Sequence, residues 1–342
     1  MEKLRVGLNG FGRIGRTLCR VMREYPQLQL VAVNDLAEGK NLAHLLKYDS
    51  IHGRFPGEVK YEKGHDHDCL LLDEKPVRLT HKSDPAEIPW YALDVDVVIE
   101  ATGHFRSADK ALKHIDQGGA RRVIISAPPQ DDTKTIVMGA NDNLVTRDDR
   151  VISNASCTTN SVAPLLKVID DVCGVDHAFI TTVHSFTTDQ RLQDAPHRDF
   201  RRGRAASESI VPTTTGAAKA ITRIYPELEG RIGGAGIRVP VPDGSLTDMT
   251  ITAKRSTSVE EINAAFKLAS ESGPFSSYLG YTADPIVSRD VIGSAYSVLF
   301  DEGLTSVLGN MVKVVGWYDN EVGYSHRLAD LLMKLLEFNS EE

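Results

Sequence analysis

The residue best equipped for covalent chemistry in this sequence is Cys157, set in Ser153-Asn154-Ala155-Ser156-Cys157-Thr158-Thr159-Asn160. A strand-like pair, Val151 and Ile152, precedes it, and Val162, Leu165, Leu166 and Ile169 follow at helical spacing, so Cys157 is expected near a helix N-terminus. Unpaired N–H groups there stabilise a thiolate, which the ordinary thiol pKa of ~8.5 leaves scarce near neutral pH. A cysteine is by default a small buried hydrophobe. Here the neighbours are hydroxyls and an amide, which suit anion binding better than core packing. Pro164 is awkward within the following helix and predicts a kink or a short first turn.

A second chemical site is written in Gly10-Phe11-Gly12-Arg13-Ile14-Gly15. Leu4, Val6 and Leu8 alternate ahead of it as a strand, and Ile14, Leu18, Val21 and Met22 follow as a helix. In that context the glycines have separate work: Gly10 for a tight turn, Gly12 for close approach of backbone to a pyrophosphate, Gly15 for helix-to-strand packing. The helix N-terminus supplies N–H donors and partial positive charge for phosphates. Asp35, twenty residues beyond Gly15 at the end of a second strand (Leu28 to Val33), is placed to accept hydrogen bonds from ribose hydroxyls. Three glycines could also serve a turn alone, but strand, helix and acid together favour a dinucleotide site.

Apolar runs at Val95 to Ile99, Val123 to Ile125, Ile136 to Met138 and Val151 to Ile152 alternate with helical stretches at Leu42 to Leu46 and Ala108 to Ile115. That alternation predicts an α/β Rossmann-type, doubly wound parallel sheet over residues 1–155. Beyond it, strand-like runs at Ala178 to Val183, Thr247 to Ala253, Ala295 to Phe300 and Met311 to Trp317 predict an α+β catalytic domain with a largely antiparallel sheet over 156–321. Ser258-Val259-Glu260-Glu261 reads as a capping box ahead of Ile262, Phe266 and Leu268. The segment 322–342 carries Leu328, Leu331, Leu332, Leu335 and Leu336 on one helical face, expected to pack back onto the first domain.

The 342 residues suffice for two domains, and 41% hydrophobic with 25% charged residues is ordinary for a soluble protein. A formal charge of −8 repels nucleic acid and anionic membranes, so no partner of either kind is expected. No apolar run of about 18 residues exists, and the start at Met1 enters a strand rather than a signal peptide, which reads as cytoplasmic. Cys19, Cys69, Cys157 and Cys173 lie too far apart for a zinc or disulfide pattern. The stretch His65-Asp66-His67-Asp68-Cys69 reads as a solvated turn, and no metal is expected.

Five separated motifs, in order, resemble the glyceraldehyde-3-phosphate dehydrogenase family: Asn9 to Gly15, Ser153 to Asn160, Thr181 to His184, Pro212 to Lys219 and Trp317 to Glu321. The resemblance implies NAD as cofactor, a phosphorylated aldehyde and inorganic phosphate as substrates, and Cys157 as nucleophile with His184 as its base. By itself a histidine in a strand is a packed or surface residue. Two phosphate groups would be held by Ser156, Thr158, Thr187, Arg204, Thr215, Gly216 and Arg238. Beside Gly10, Gly12, Gly15 and Asp35, the cofactor would meet Arg13, Ile14, Arg78, Ser126 and Asn320, the last at the carboxamide.

The arginine-rich segment from Arg198 to Arg204 corresponds to a loop that reaches a neighbouring subunit, which implies a homotetramer. Just before it, Ala195-Pro196 stands half-way between the Leu-Pro of NAD-specific members and the Ala-Ser of photosynthetic NADP-accepting ones. Ser161 replaces a second cysteine that many members carry. Two other readings compete: a related erythrose-4-phosphate dehydrogenase, disfavoured by Thr215-Gly216, and a non-catalytic Rossmann-type binding protein, disfavoured by the intact Cys157 and His184 motifs.

Overall fold

In the computed structural model, which describes residues 3–65 and 67–338, two eight-stranded sheets each organise one unit of the chain. The first unit comprises 1–136, 143–155 and 325–342; the second comprises 137–142 and 156–324. Met1, Glu2, Asp66 of the histidine-rich turn and the last four residues of the expected C-terminal helix lie outside the described residues.

In the first unit Leu4–Asn9 lies between Leu28–Asn34 and Val97–Glu100, parallel to both. Arg122–Ile125 and Val151–Ser153 extend the parallel sheet on one side and Lys75–Thr80 on the other. Two antiparallel strands, Cys69–Leu72 and Val59–Glu62, complete that edge. Strand order reverses at Leu4–Asn9, so the crevice that binds ligands in such sheets opens at the carboxyl ends of this strand and Val97–Glu100. Val97, Val98 and Ile99 are fully buried, as expected of a strand covered on both faces.

The run Ile136 to Met138 is not a strand. Only Thr135 bridges to Ser153, and the chain then turns, the Val137 N–H donating to the Asn141 side chain at 2.8 Å. Its hydrophobicity reflects burial in a loop, since all three residues are less than a tenth exposed. The segment Ala108 to Ile115 is divided into short helices, Ala108–Ala111 and Lys113–Asp116. The C-terminal helix, Val322–Glu337, buries Leu328, Leu331, Leu332 and Leu335 completely. Within the first unit Tyr25 donates its hydroxyl to Asp330 at 2.9 Å and lies 3.1 Å from His326 Nδ1.

The second unit has strand order Val211–Thr213, Ile232–Val239, Val175–Ser185, Ser245–Ala253, Met311–Tyr318, Val298–Asp301 and Leu279–Thr282, with Ser306–Leu308 beside Met311–Tyr318. Most pairs are antiparallel, but Val175–Ser185 runs parallel to Ile232–Val239. The helix Cys157–Cys173 packs on this sheet and runs through Pro164 without interruption. A proline inside a helix costs about 3 kcal/mol. Val162, Leu165, Leu166 and Ile169 are fully buried at about 1.5–3 kcal/mol each, so packing outweighs the lost hydrogen bond. Ser258 caps Val259–Glu271 as expected, accepting from the Glu261 N–H at 3.2 Å, but Leu268 faces solvent. Among the described residues no helix is long and apolar enough to cross a membrane.

Candidate active site

The thiol is delivered by a turn. Ala155 takes a left-handed backbone conformation (φ 55°), uncommon for a side chain with a Cβ, and is completely buried. The chain then enters the helix at Cys157, with Ser156 as the capping residue, its Oγ accepting from the Thr159 N–H at 3.1 Å. The Thr158 hydroxyl lies 3.0 Å from the Tyr318 hydroxyl, which also meets Thr182 Oγ1 at 2.8 Å. Ser161, replacing the second cysteine, sits 2.9 Å from Thr247 Oγ1.

Twenty-seven positions away in sequence, His184 sits near the end of Val175–Ser185, with Nε2 3.5 Å from Cys157 Sγ. Parallel register sets His184 directly opposite Arg238. Arg238 Nη1 lies 2.6 Å from His184 Nδ1 and donates to the Ser185 carbonyl at 3.0 Å, while Nδ1 itself is 2.8 Å from that carbonyl. The Tyr318 ring packs edge-on against the imidazole.

Burial pushes the Cys157 thiol up from its ordinary range, against the pull of the Arg238 charge and the Thr158 hydroxyl and N–H. Burial and then the Arg238 charge drive His184 down to about 3, despite the opposing Ser185 carbonyl. Desolvation is the largest influence on the thiol, and it opposes the donors at the helix start.

In the same unit, Thr215 accepts from the Ala217 N–H at 3.2 Å, and Gly216 caps Ala217–Ile224. A Cβ at Gly216 would meet no protein atom within 4 Å. Thr187 is half-buried on the chain just beyond His184. Arg204, in contrast, is turned outward: its side chain is 67% exposed and pairs with Asp194. Arg202 is the inward arginine, 16% exposed, donating to Thr213 Oγ1 at 3.0 Å and paired with Asp189. Its charge acts on both His184 and Arg238. Four arginines crowd seven residues of this segment, and burial separates Arg202 from Arg204 where sequence does not.

Asn320 belongs to the same unit. Its Oδ1 accepts from Ser185 Oγ at 2.9 Å and Ser245 Oγ at 2.7 Å, which fixes the amide with Nδ2 as the end that donates. Neither serine was marked by any motif.

In the first unit, Gly10 has φ 94°, and a Cβ on it would lie 2.9 Å from the Ala101 backbone at the switch point. A Cβ at Gly15 would sit 2.3 Å from the Gly10 carbonyl oxygen, whereas one at Gly12 would meet nothing within 4 Å. The first two positions are closed by protein and the third faces a cradle ahead of the helix Arg13–Val21, as a pyrophosphate requires. Asp35 Oδ2 accepts from the Phe11 N–H at 2.7 Å and Oδ1 from the Ala37 N–H at 2.9 Å, tying the carboxylate to the glycine turn. These residues fit NAD.

Arg13 pairs with Asp49 at 2.7 Å, and Ile14 follows it half-buried in the helix. Ser126 sits at the end of Arg122–Ile125, its N–H and Oγ both donating to the Glu100 carbonyl at 3.0 Å. Arg78 stands two residues before the end of Lys75–Thr80, opposite Cys69. Just beyond that strand's end His81 Nδ1 approaches the Asp35 carbonyl at 2.7 Å.

Two family models match the chain: the NAD binding domain of glyceraldehyde 3-phosphate dehydrogenase over residues 4–108 and its C-terminal domain over 156–320. Glyceraldehyde-3-phosphate dehydrogenase 1 of Streptomyces avermitilis is 52% identical over 332 residues, covering 96% of this chain and 98% of that one. Glyceraldehyde-3-phosphate dehydrogenase 2 of Streptomyces arenae is 51% identical over 330 residues, covering 96% and 97%. The enzyme of that name from Mycolicibacterium smegmatis is 51% identical over 335 residues with the same coverage. With likeness of this extent joined to the thiol, imidazole and dinucleotide cradle, the chain belongs to the glyceraldehyde-3-phosphate dehydrogenase family.

Proposed function

We infer that this chain oxidises glyceraldehyde 3-phosphate with NAD and inorganic phosphate to 1,3-bisphosphoglycerate. The observation that carries this reading is Cys157 Sγ 3.5 Å from His184 Nε2, with Arg238 on the ring's far side. Cys157 sulfur attacks the aldehyde carbon, and the new alkoxide takes a proton to give a hemithioacetal. NAD, when bound, accepts the hydride. His184 takes the hydroxyl proton as the hydride leaves, and a thioester remains on Cys157. A phosphate oxygen then attacks the thioester carbon, the acyl phosphate departs, and the thiolate is regenerated.

Arg238, Arg202, Thr187, Thr215, Gly216, Ser156 and Thr158 supply guanidinium, hydroxyl and N–H donors for the two phosphates. Arg202 takes the place expected of Arg204, on the strength of its burial and its charge at His184. Gly10, Gly12, Arg13, Ile14, Gly15, Asp35, Arg78 and Ser126 hold the cofactor in the first unit, and Asn320 presents Nδ2 to its carboxamide. The two units are accordingly the cofactor-binding and catalytic domains.

A homotetramer in the cytoplasm is the setting we assign. Leu192, Phe200 and Ile210 are 74%, 89% and 70% exposed along the arginine-rich segment, which suits burial against another copy of the chain. A monomeric mass by light scattering would remove the tetramer, and recovery of the protein outside the cytoplasmic fraction would remove the location. The activity itself is tested by following NAD reduction with glyceraldehyde 3-phosphate and with erythrose 4-phosphate, each with and without inorganic phosphate. Phosphate-dependent reduction with the three-carbon substrate is expected. Faster turnover of the four-carbon aldehyde, or indifference to phosphate, would overturn the reading.

A further inference from the structure

Glu100, the last residue of Val97–Glu100, is completely enclosed in the first unit, and the groups around it fix how it is bound. Trp90 Nε1 can only donate, and it meets His114 Nδ1 at 2.9 Å, so the ring carries its proton on Nε2. Nε2 therefore donates to Glu100 Oε2, at 3.1 Å. From the other side, the Lys82 N–H donates to Asn34 Oδ1 at 2.8 Å, while Asn34 Nδ2 donates to the Lys82 carbonyl at 2.9 Å and to Asn9 Oδ1 at 2.8 Å. That order leaves Asn9 Nδ2 to donate to Glu100 Oε2, at 2.6 Å. Glu100 Oε1 accepts from the Thr102 N–H at 2.9 Å and from the Thr102 hydroxyl.

Every neighbour is thus a donor, and both oxygens act only as acceptors, as a carboxylate does. The donors are neutral, and no Lys or Arg among the described residues is paired with Glu100. The negative charge is hydrogen-bonded but not cancelled. Burying a charge in that way is costly, which singles this residue out from an amide of the same shape.

Its place in the sheet says what the charge faces. Strand order reverses at Leu4–Asn9, and Val97–Glu100 is the first strand on the side away from Leu28–Asn34. Asp35, after Leu28–Asn34, takes the adenosine ribose, and the glycine turn after Leu4–Asn9 takes the pyrophosphate. In a sheet made of two mononucleotide-binding halves, the nicotinamide half then falls to the side that Glu100 closes.

We propose that Glu100 sets the relative affinity for the two oxidation states of the cofactor, its fixed negative charge favouring NAD, whose nicotinamide ring is cationic, over NADH, whose ring is neutral. The pyrophosphate has the same charge in both states, so its repulsion by Glu100 cancels from the ratio of affinities. A unit charge acting over about 12 Å through an effective dielectric of about 20 shifts an equilibrium about tenfold, and water in the crevice reduces that to about fivefold. The inference rests on the cofactor site proposed above and adds an electrostatic role within it.

The test separates charge from architecture, because loosening the turns around Glu100 weakens NAD and NADH alike. The readout is the ratio of the dissociation constants of NADH and NAD, each measured by titration calorimetry on the full-length enzyme. In Glu100→Gln the ratio is expected to fall about fivefold. A ratio unmoved or raised overturns the proposal. Glu100→Asp keeps the charge while disturbing the hydrogen bonds, and should lower both affinities with the ratio held; a fall as large as that of Glu100→Gln also overturns it. Should Glu100→Gln not fold, His114→Lys sets a cation against the intact carboxylate and is expected to lower the ratio in the same direction; no change in that variant counts against the proposal equally. Failure of the cofactor reading looks different: Asp35→Ala would then leave both dissociation constants where they are in the wild type.

Discussion

Ser245 Oγ donates to Asn320 Oδ1 at 2.7 Å, and that bond decides which end of the amide can donate. Ser185 makes the same choice from a second strand. Ser245→Ala should therefore weaken the hold on NAD rather than on aldehyde. Losing one such bond, about 1 kcal/mol, predicts a roughly fivefold rise in KM for NAD. An unchanged KM for NAD in the Ser185→Ala, Ser245→Ala double variant would detach Asn320 from the cofactor.

Cys157→Ser should abolish turnover while NAD binding, followed by fluorescence or calorimetry, persists. A serine hydroxyl is far less ionised than a thiol, and the glycine turn and Asp35 belong to another unit of the chain. Residual turnover within about tenfold of wild type would refute the nucleophile.

For His184 the pH dependence has a defined sign. Its pKa falls from the ordinary 6.5 to about 3 on folding, so the unfolded chain binds the extra proton between those values. Stability is thus complete above about 6.5 and falls as the solution is acidified toward 3, by up to about 1.4 kcal/mol per pH unit from this group. Denaturation of wild type and His184→Asn across that window should show the variant losing stability less steeply. Parallel curves would mean that His184 is not held neutral. In the same variant the chemical step should slow by about 10² to 10⁴ if general-base catalysis is what the ring supplies.

Arg202→Ala and Arg204→Ala should separate. The first removes a guanidinium that acts on His184 and Arg238; the second removes an exposed partner of Asp194, a pair worth at most about 1 kcal/mol. A rise in KM for phosphorylated aldehyde or inorganic phosphate is expected for Arg202→Ala alone. The reverse ranking would restore Arg204 to the phosphate site.

Cofactor choice turns on Asp35, whose carboxylate is pinned by the N–H groups of Phe11 and Ala37 and is not free to swing from an added 2′-phosphate. NAD should be strongly preferred, with some NADP turnover because Ala195 leaves more room than leucine. Asp35→Ala should raise kcat/KM for NADP relative to NAD. A wild type that prefers NADP, or a ratio unmoved by the substitution, would show that the carboxylate is not the discriminator.

Local chemistry made much of this protein legible in its sequence. Glycine spacing depends on sterics within a single strand-turn-helix, so Gly10, Gly12, Gly15 and Asp35 could be read directly, and the cysteine's place at a helix start followed from periodicity. What periodicity could not decide was where an apolar run finds its partners: Ile136 to Met138 is as hydrophobic as a strand, but after the Ile136 N–H bonds Ser153 the Val137 N–H turns to the Asn141 side chain. Three-dimensional register alone set His184 beside Arg238, because their strands are far apart in the chain and a one-residue slip would turn every side chain to the other face. The same holds for the difference in burial between Arg202 and Arg204, and for the serines that orient Asn320, whose hydroxyls carry no signal until two strands and a loop bring them to one oxygen. Residue types state which chemistry is available; the sheet decides which groups share it, because hydrogen bonds act over about 3 Å and sequence fixes such distances only within a turn.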